Sequence, residues 1–278
     1  MKRQRLQFSL RNFLLVFAIA GLCLGWIGQH VIQYLEKRDS EEAHEALRRR
    51  NGEDPGVRLA WWTGGGIVLH YWDESHATDD DLTEDLILIE RSDSQLGRLD
   101  VENVEITDDG LKQLVRFRQS LGGLALNGIP VGNRTMSRLR ELPGLWWLEL
   151  ANLEEVTDGG LAHLSMLPRL SDLRISCMPI SDVGLEHLTE ISSLRSLYLE
   201  RIPITDAGLE VLTAMPDLEV LWLEDLRITD AGLEYVRTLK NLKELQIHGT
   251  DCSEAAGRSL IRDLPNCDIY SDLIIEER

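Results

Sequence analysis

The stretch Ile204-Thr205-Asp206-Ala207-Gly208-Leu209 recurs along the chain, with copies beginning at Ile106, Val131, Val156, Ile180, Ile204, Ile228 and, in worn form, Cys252. The intervals are 25, 25, 24, 24, 24 and 24 residues. Self-similarity at such a period marks a repeat architecture, in which each unit packs chiefly against its two neighbours. In the unit from Ile204, Leu209, Leu212 and Met215 fall three apart, as on one face of a short helix. Leu221 and Leu223 then alternate as in a half-buried strand. Each unit is a strand plus a helical return.

Seven apolar side chains per unit bury too little surface to offset the ordering of 24 backbones, so one unit cannot fold alone. Stacking supplies the missing strand hydrogen bonds and shared apolar faces. Neighbouring strands sit about 4.8 Å apart, whereas neighbouring helices need about 8 to 10 Å. The stack therefore curves with its strands inside.

The pattern L-x-x-L-x-L followed by I-T-D-x-G-L, over residues 96–270, resembles the leucine-rich repeat proteins. It is similar to the short bacterial, membrane-anchored type and to the cysteine-containing repeats of F-box proteins. The resemblance implies an α/β solenoid with parallel strands on a concave face and short helices on a convex face. Where these families place Asn or Cys after the strand, this chain has Val104, Ile129, Met178, Ile202, Leu226 and Thr250. The corner Asn152-Leu153-Glu154-Glu155-Val156 has the F-box-like spacing.

Asn12 to Leu35 contains no Asp, Glu, Lys or Arg. As a helix it would span roughly 36 Å, enough for a bilayer core of about 30 Å. We read residues 12–35 as a single transmembrane helix behind a basic tail, 1–11. The competing reading is a signal peptide cleaved after Ala18-Ile19-Ala20, which would leave the apolar Leu22–Ile27 exposed. The basic tail is hard to translocate, so the repeats are expected outside the cytoplasm. Residues 36–56 read as a solvated helical stalk and linker, broken by Asn51-Gly52-Glu53-Asp54-Pro55-Gly56. Residues 57–95 read as an N-terminal capping region with a hairpin, Val57–Trp62 and Ile67–Trp72, and a decayed repeat start at Thr78-Asp79-Asp80-Asp81-Leu82. Residues 271–278 form an acidic tail.

The chain carries 29 Lys and Arg against 47 Asp and Glu, a net charge of -18. Setting aside the four basic residues of positions 1–32 leaves 25 against 47, a net of -22. Nucleic acid is a poor ligand for such a surface. The Thr-Asp pairs, such as Thr205-Asp206, read as caps for the first turn of each helical return. The Asp column could in principle hold calcium, but helix spacing sets its members far apart. The glycines that follow, such as Gly208, read as points of close packing. His163 and His187 occupy equivalent positions and could form a metal pair; Gln113 and Tyr235 in the same place favour a general polar position. Cys252 and Cys267 could pair outside the cytoplasm, which spacing does not establish. No nucleophile sits beside a base at a diagnostic spacing, so neither an enzyme nor a cofactor is expected.

The residues that alternate with the inward leucines face the concave side. Tyr198 and Trp222 fall side by side there, with Glu200 and Glu224 beside them. We expect the partner-binding residues to be Trp147, Glu149, Arg174, Tyr198, Glu200, Trp222, Glu224 and His248. Aromatic anchors with a carboxylate rim suit a protein or peptide segment bearing Lys or Arg. The expected function is that of a membrane-anchored protein-interaction module. The alternatives are a rigid envelope spacer without a ligand and a ubiquitin-ligase substrate receptor of F-box type.

Overall fold

A computed structural model describes residues 41–43, 45–47, 49, 57–61, 66–72, 76–92 and 94–272. The expected transmembrane helix, the basic tail before it, the linker 50–56 and residues 273–278 of the acidic tail lie outside the described residues. Among those described, no helix is long and apolar enough to cross a membrane. Residues 41–43, 45–47 and 49 are helical. Leu47 is buried in the main hydrophobic core, so this end of the expected stalk packs onto the folded domain instead of standing in solvent.

The described strands form one sheet in chain order: β1 Val57–Trp61, β2 Ile67–Tyr71, β3 Leu96–Glu102, β4 Gly123–Asn127, β5 Trp147–Ala151, β6 Asp172–Ser176, β7 Ser196–Glu200, β8 Val220–Glu224, β9 Glu244–His248 and β10 Asp268–Ser271. β1 and β2 pair antiparallel, as the expected hairpin requires, and every later pair is parallel. Leu173, Leu197, Leu221 and Leu245 stand in register across β6 to β9. All four are fully buried. Ile204, Leu209, Leu212, Met215 and Leu218 of one unit are buried with them, which is why the period changes from three to two within each repeat.

Each strand from β3 to β9 is followed by a residue in the left-handed backbone region: Asn103, Asn152, Cys177, Arg201 and Asp225 all have φ near 50°. The equivalent Gly128 and Gly249 have φ 59°. Non-glycine residues pay for that conformation. It lets the corner N–H continue the ladder: Cys177 N donates to Glu200 O at 3.0 Å, and Arg201 N to Glu224 O at 3.0 Å.

The helical returns are stitched by a second ladder, which corrects the expected role of the Thr-Asp pairs. Thr205 caps its own helix, Asp206–Leu212, by accepting from Ala207 N at 3.3 Å. Asp206 does not cap that helix. Its carboxylate accepts the N–H and hydroxyl of Thr229 in the next unit, at 2.8 and 2.7 Å. Asp79 does the same for Thr107, Asp158 for Ser181, Asp182 for Thr205 and Asp230 for Ser253. Thus the ladder starts at Asp79, in the helix Asp79–Arg91 capped by Thr78. A Cβ on Gly208 would lie 2.5 Å from Asp182 Oδ1. The glycine makes room for the carboxylate of the preceding unit, and the motif T-D-x-G is the code for one contact between units.

Candidate functional site

Alternation along β5 to β8 turns every second side chain away from the core and onto the open sheet face. Register then sets Glu149, Arg174, Tyr198 and Trp222 in one row across four adjacent strands. Glu200, Glu224 and His248 form a parallel row at the strand ends. All seven are half-buried.

Tyr198 and Trp222 meet edge to face, with ring centroids 4.7 Å apart and planes at 74°. The Arg174 guanidinium lies over the Tyr198 ring at 4.2 Å and 5.8 Å from the Trp222 ring. Such stacking is favourable and, for arginine, leaves the guanidinium edge free to hydrogen bond. On the other flank, Trp222 Nε1 donates to Glu244 Oε1 at 2.9 Å and Gln246 Nε2 donates to Glu224. The two rings are therefore held from both sides. Arg201 pairs with Glu200 at the corner, and the bond raises the Arg201 pKa.

A cavity of about 130 Å³ opens over this row, lined by Glu149, Arg174, Tyr198, Glu200, Trp222 and Glu224, with Ser176 and the strand residues Ile175 and Leu199. Six of the eight expected residues meet there. Trp147 and His248 do not. Trp147 lies two strands from Tyr198, and its ring takes the Arg98 guanidinium at 3.9 Å. Gly123 stands between them in register and has no side chain to block that reach. His248 stands beside Glu224, outside the cavity. Burial raises the pKa of Glu149, against the pull of Arg174 and Arg98. The supporting residues Glu244, Gln246 and Ser176 are turned to this face by the same strand alternation but are not among the eight expected; Gln246 follows Trp222 in its row.

Among the described residues, no group of three or more His, Cys, Asp or Glu side chains is placed to hold a metal ion. Cys177, Cys252 and Cys267 are free thiols. Burial pushes the Cys267 thiol up to about 11.

Comparison with solved structures matches the chain to internalin C2 from Listeria monocytogenes, a leucine-rich repeat protein. The two share 21% sequence identity and a TM-score of 0.55 over 73% of this chain and 80% of that one. The fold is a leucine-rich repeat solenoid. At this identity the likeness extends to the fold alone. No protein-family model and no curated protein matches the chain.

Proposed function

We propose that the chain is a protein-interaction module that holds a partner polypeptide on the open sheet face, at the Tyr198–Trp222 pair. The observation that carries this reading is the register-aligned row Glu149, Arg174, Tyr198 and Trp222 beneath a preformed cavity. Rigid aromatic side chains in a partly desolvated hollow are the usual anchors of protein recognition. Carboxylates at Asp100, Glu102, Glu149, Asp172, Glu200, Glu224 and Glu244 outnumber Arg98 and Arg174 on this face. The partner segment is accordingly basic, and its approach is favoured by the net charge of -18.

In this reading residues 12–35 anchor the protein in a membrane and the repeats, 96–270, project outside the cytoplasm. The capping region, 57–95, covers the first edge of the stack. The rigid-spacer reading draws on a different observation, the Asp-to-Thr ladder that locks unit to unit. Capture of membrane and envelope proteins by the full-length chain separates the two. A Tyr198→Ala/Trp222→Ala variant that melts like the wild type is expected to lose a basic partner that the wild type retains. Equal capture by both proteins would place the site elsewhere, and capture by neither would favour the spacer.

A further inference from the structure

The unit beginning at Val131 breaks the code for contact between units. It has Gly132 where the others have Thr or Ser, Asn133 where all but the last have Asp, and Thr135 where Gly110, Gly160, Gly184, Gly208 and Gly232 stand elsewhere. Gly132 has no hydroxyl to give, and the Thr135 side chain fills the space a carboxylate would enter. Asp108 accepts from the Thr135 hydroxyl instead of from the cap residue. The preceding unit is also longer. Ile106 lies 17 positions before the first residue of β4, against 16 in each of the next five units.

On the helix face beside Thr135 the two units leave an opening. A cavity of about 220 Å³ lies between the segment Asp108–Phe117 and the helix Asn133–Leu139. Its apolar walls are Leu111, Leu114, Val115, Leu124, Leu139 and Leu142. Its polar lining is Lys112, Thr135, Arg138 and the exposed Glu141. Lys112 is engaged by Asp109 at 3.4 Å. Arg138 gives a hydrogen bond to the Asp108 carbonyl at 3.0 Å and, among the described residues, has no carboxylate partner. An apolar cavity of about 150 Å³ suffices for benzene, so this one has room for a ring and a short chain.

We propose that this cavity is a binding site for a small amphiphile with an aryl or alkyl tail and a carboxylate head. The tail replaces the apolar contacts the two units do not make with each other, and the carboxylate pairs with the half-buried Arg138 guanidinium. Glu141 opposes an anion, but it is exposed and solvent screens it more than a guanidinium at the cavity wall.

The test is titration of the full-length chain with 3-phenylpropionate and with the neutral 3-phenyl-1-propanol, followed by NMR or calorimetry. A charge-assisted hydrogen bond should make the carboxylate bind roughly tenfold tighter or more. Arg138→Gln should bring the two ligands level. Gly132→Thr/Thr135→Gly, which restores the code, should close the cavity and abolish binding of both while raising Tm. Val115→Phe narrows the cavity without touching the ladder and should weaken both ligands if the double variant folds poorly. Failure of 3-phenylpropionate to bind at millimolar concentration, equal binding of the two ligands by the wild type, or undiminished binding by both cavity-closing variants would overturn the proposal.

Discussion

Asp182 and Thr205 belong to neighbouring units, and the carboxylate of one accepts both the N–H and the hydroxyl of the other, each at 2.8 Å. Thr205 also accepts from Ala207 N, so one residue caps its own helix and anchors the unit before it. The contact recurs along the helix side of the stack, where it does for the helices what the strand ladder does for the sheet.

Gly208 tests how tightly that contact is drawn. Alanine in place of a helical glycine ordinarily stabilises by about 1 kcal/mol. Here the new Cβ would press on Asp182 Oδ1 at 2.5 Å and on Leu185 Cδ1 at 3.1 Å. The carboxylate can retreat only by giving up its bonds to Thr205. Gly208→Ala is expected to destabilise by about 1 to 3 kcal/mol, measured by urea unfolding; a gain in stability would contradict the packing role.

The chain holds its own precedent for a conservative change in the ladder. Asn133 Oδ1 accepts Thr157 N at 3.0 Å, and Asn133 Nδ2 donates to Thr157 Oγ1 at 2.9 Å. Asp206→Asn should therefore cost under about 1 kcal/mol. Asp206→Ala should cost about 1 to 3 kcal/mol, because the Thr229 N–H and hydroxyl lose their acceptor. The same denaturation series checks both, and equal losses would argue against the hydrogen-bond account.

Two carboxyls give opposite pH dependences. The Ser253 N–H and then its hydroxyl hold the Asp230 pKa below the usual range. A depressed folded pKa gives stability that is present above the unfolded pKa, about 3.9, and lost as pH falls through the folded value. Burial raises the Glu149 pKa. Its favourable contribution is complete below the unfolded pKa and is lost as pH rises through the folded value. Thermal melts should show Asp230→Asn narrowing the loss of stability below about pH 4. Glu149→Gln should raise Tm at pH 7 and have no such effect near pH 3. A Glu149→Gln protein less stable at pH 7 would show that pairing with Arg174 outweighs burial.

Much of this was legible because it is local or periodic. The leucines of β4 to β9 alternate, so strand positions and the neighbour relation of Tyr198 and Trp222 followed from a count of 24. The role of the Asp column was not legible, because Asp182 acts 23 residues away, and a local reading assigns it to its own helix. Nor were the left-handed corners, where Asn103, Cys177, Arg201 and Asp225 share a backbone shape but no side-chain chemistry. Alternation sets Arg174 on the sheet face, but its stacking on Tyr198 depends on a rotamer that no pattern encodes. Trp147 stands in the neighbouring row, outside the cavity, and the spacing of the leucines does not show that Gly123 leaves Arg98 free to reach its ring.

If partners are held on the sheet face at Tyr198 and Trp222, a probe set in that cavity must reach them. The most direct measurement is photocross-linking in cells by the full-length chain carrying benzoylphenylalanine at Ser176, a cavity-lining residue, or at Val183, 54% exposed in the helical return Asp182–Leu188. A discrete adduct is expected from position 176, lost when Tyr198→Ala and Trp222→Ala are added, and none from position 183. A discrete adduct from 183 with none from 176 would contradict it.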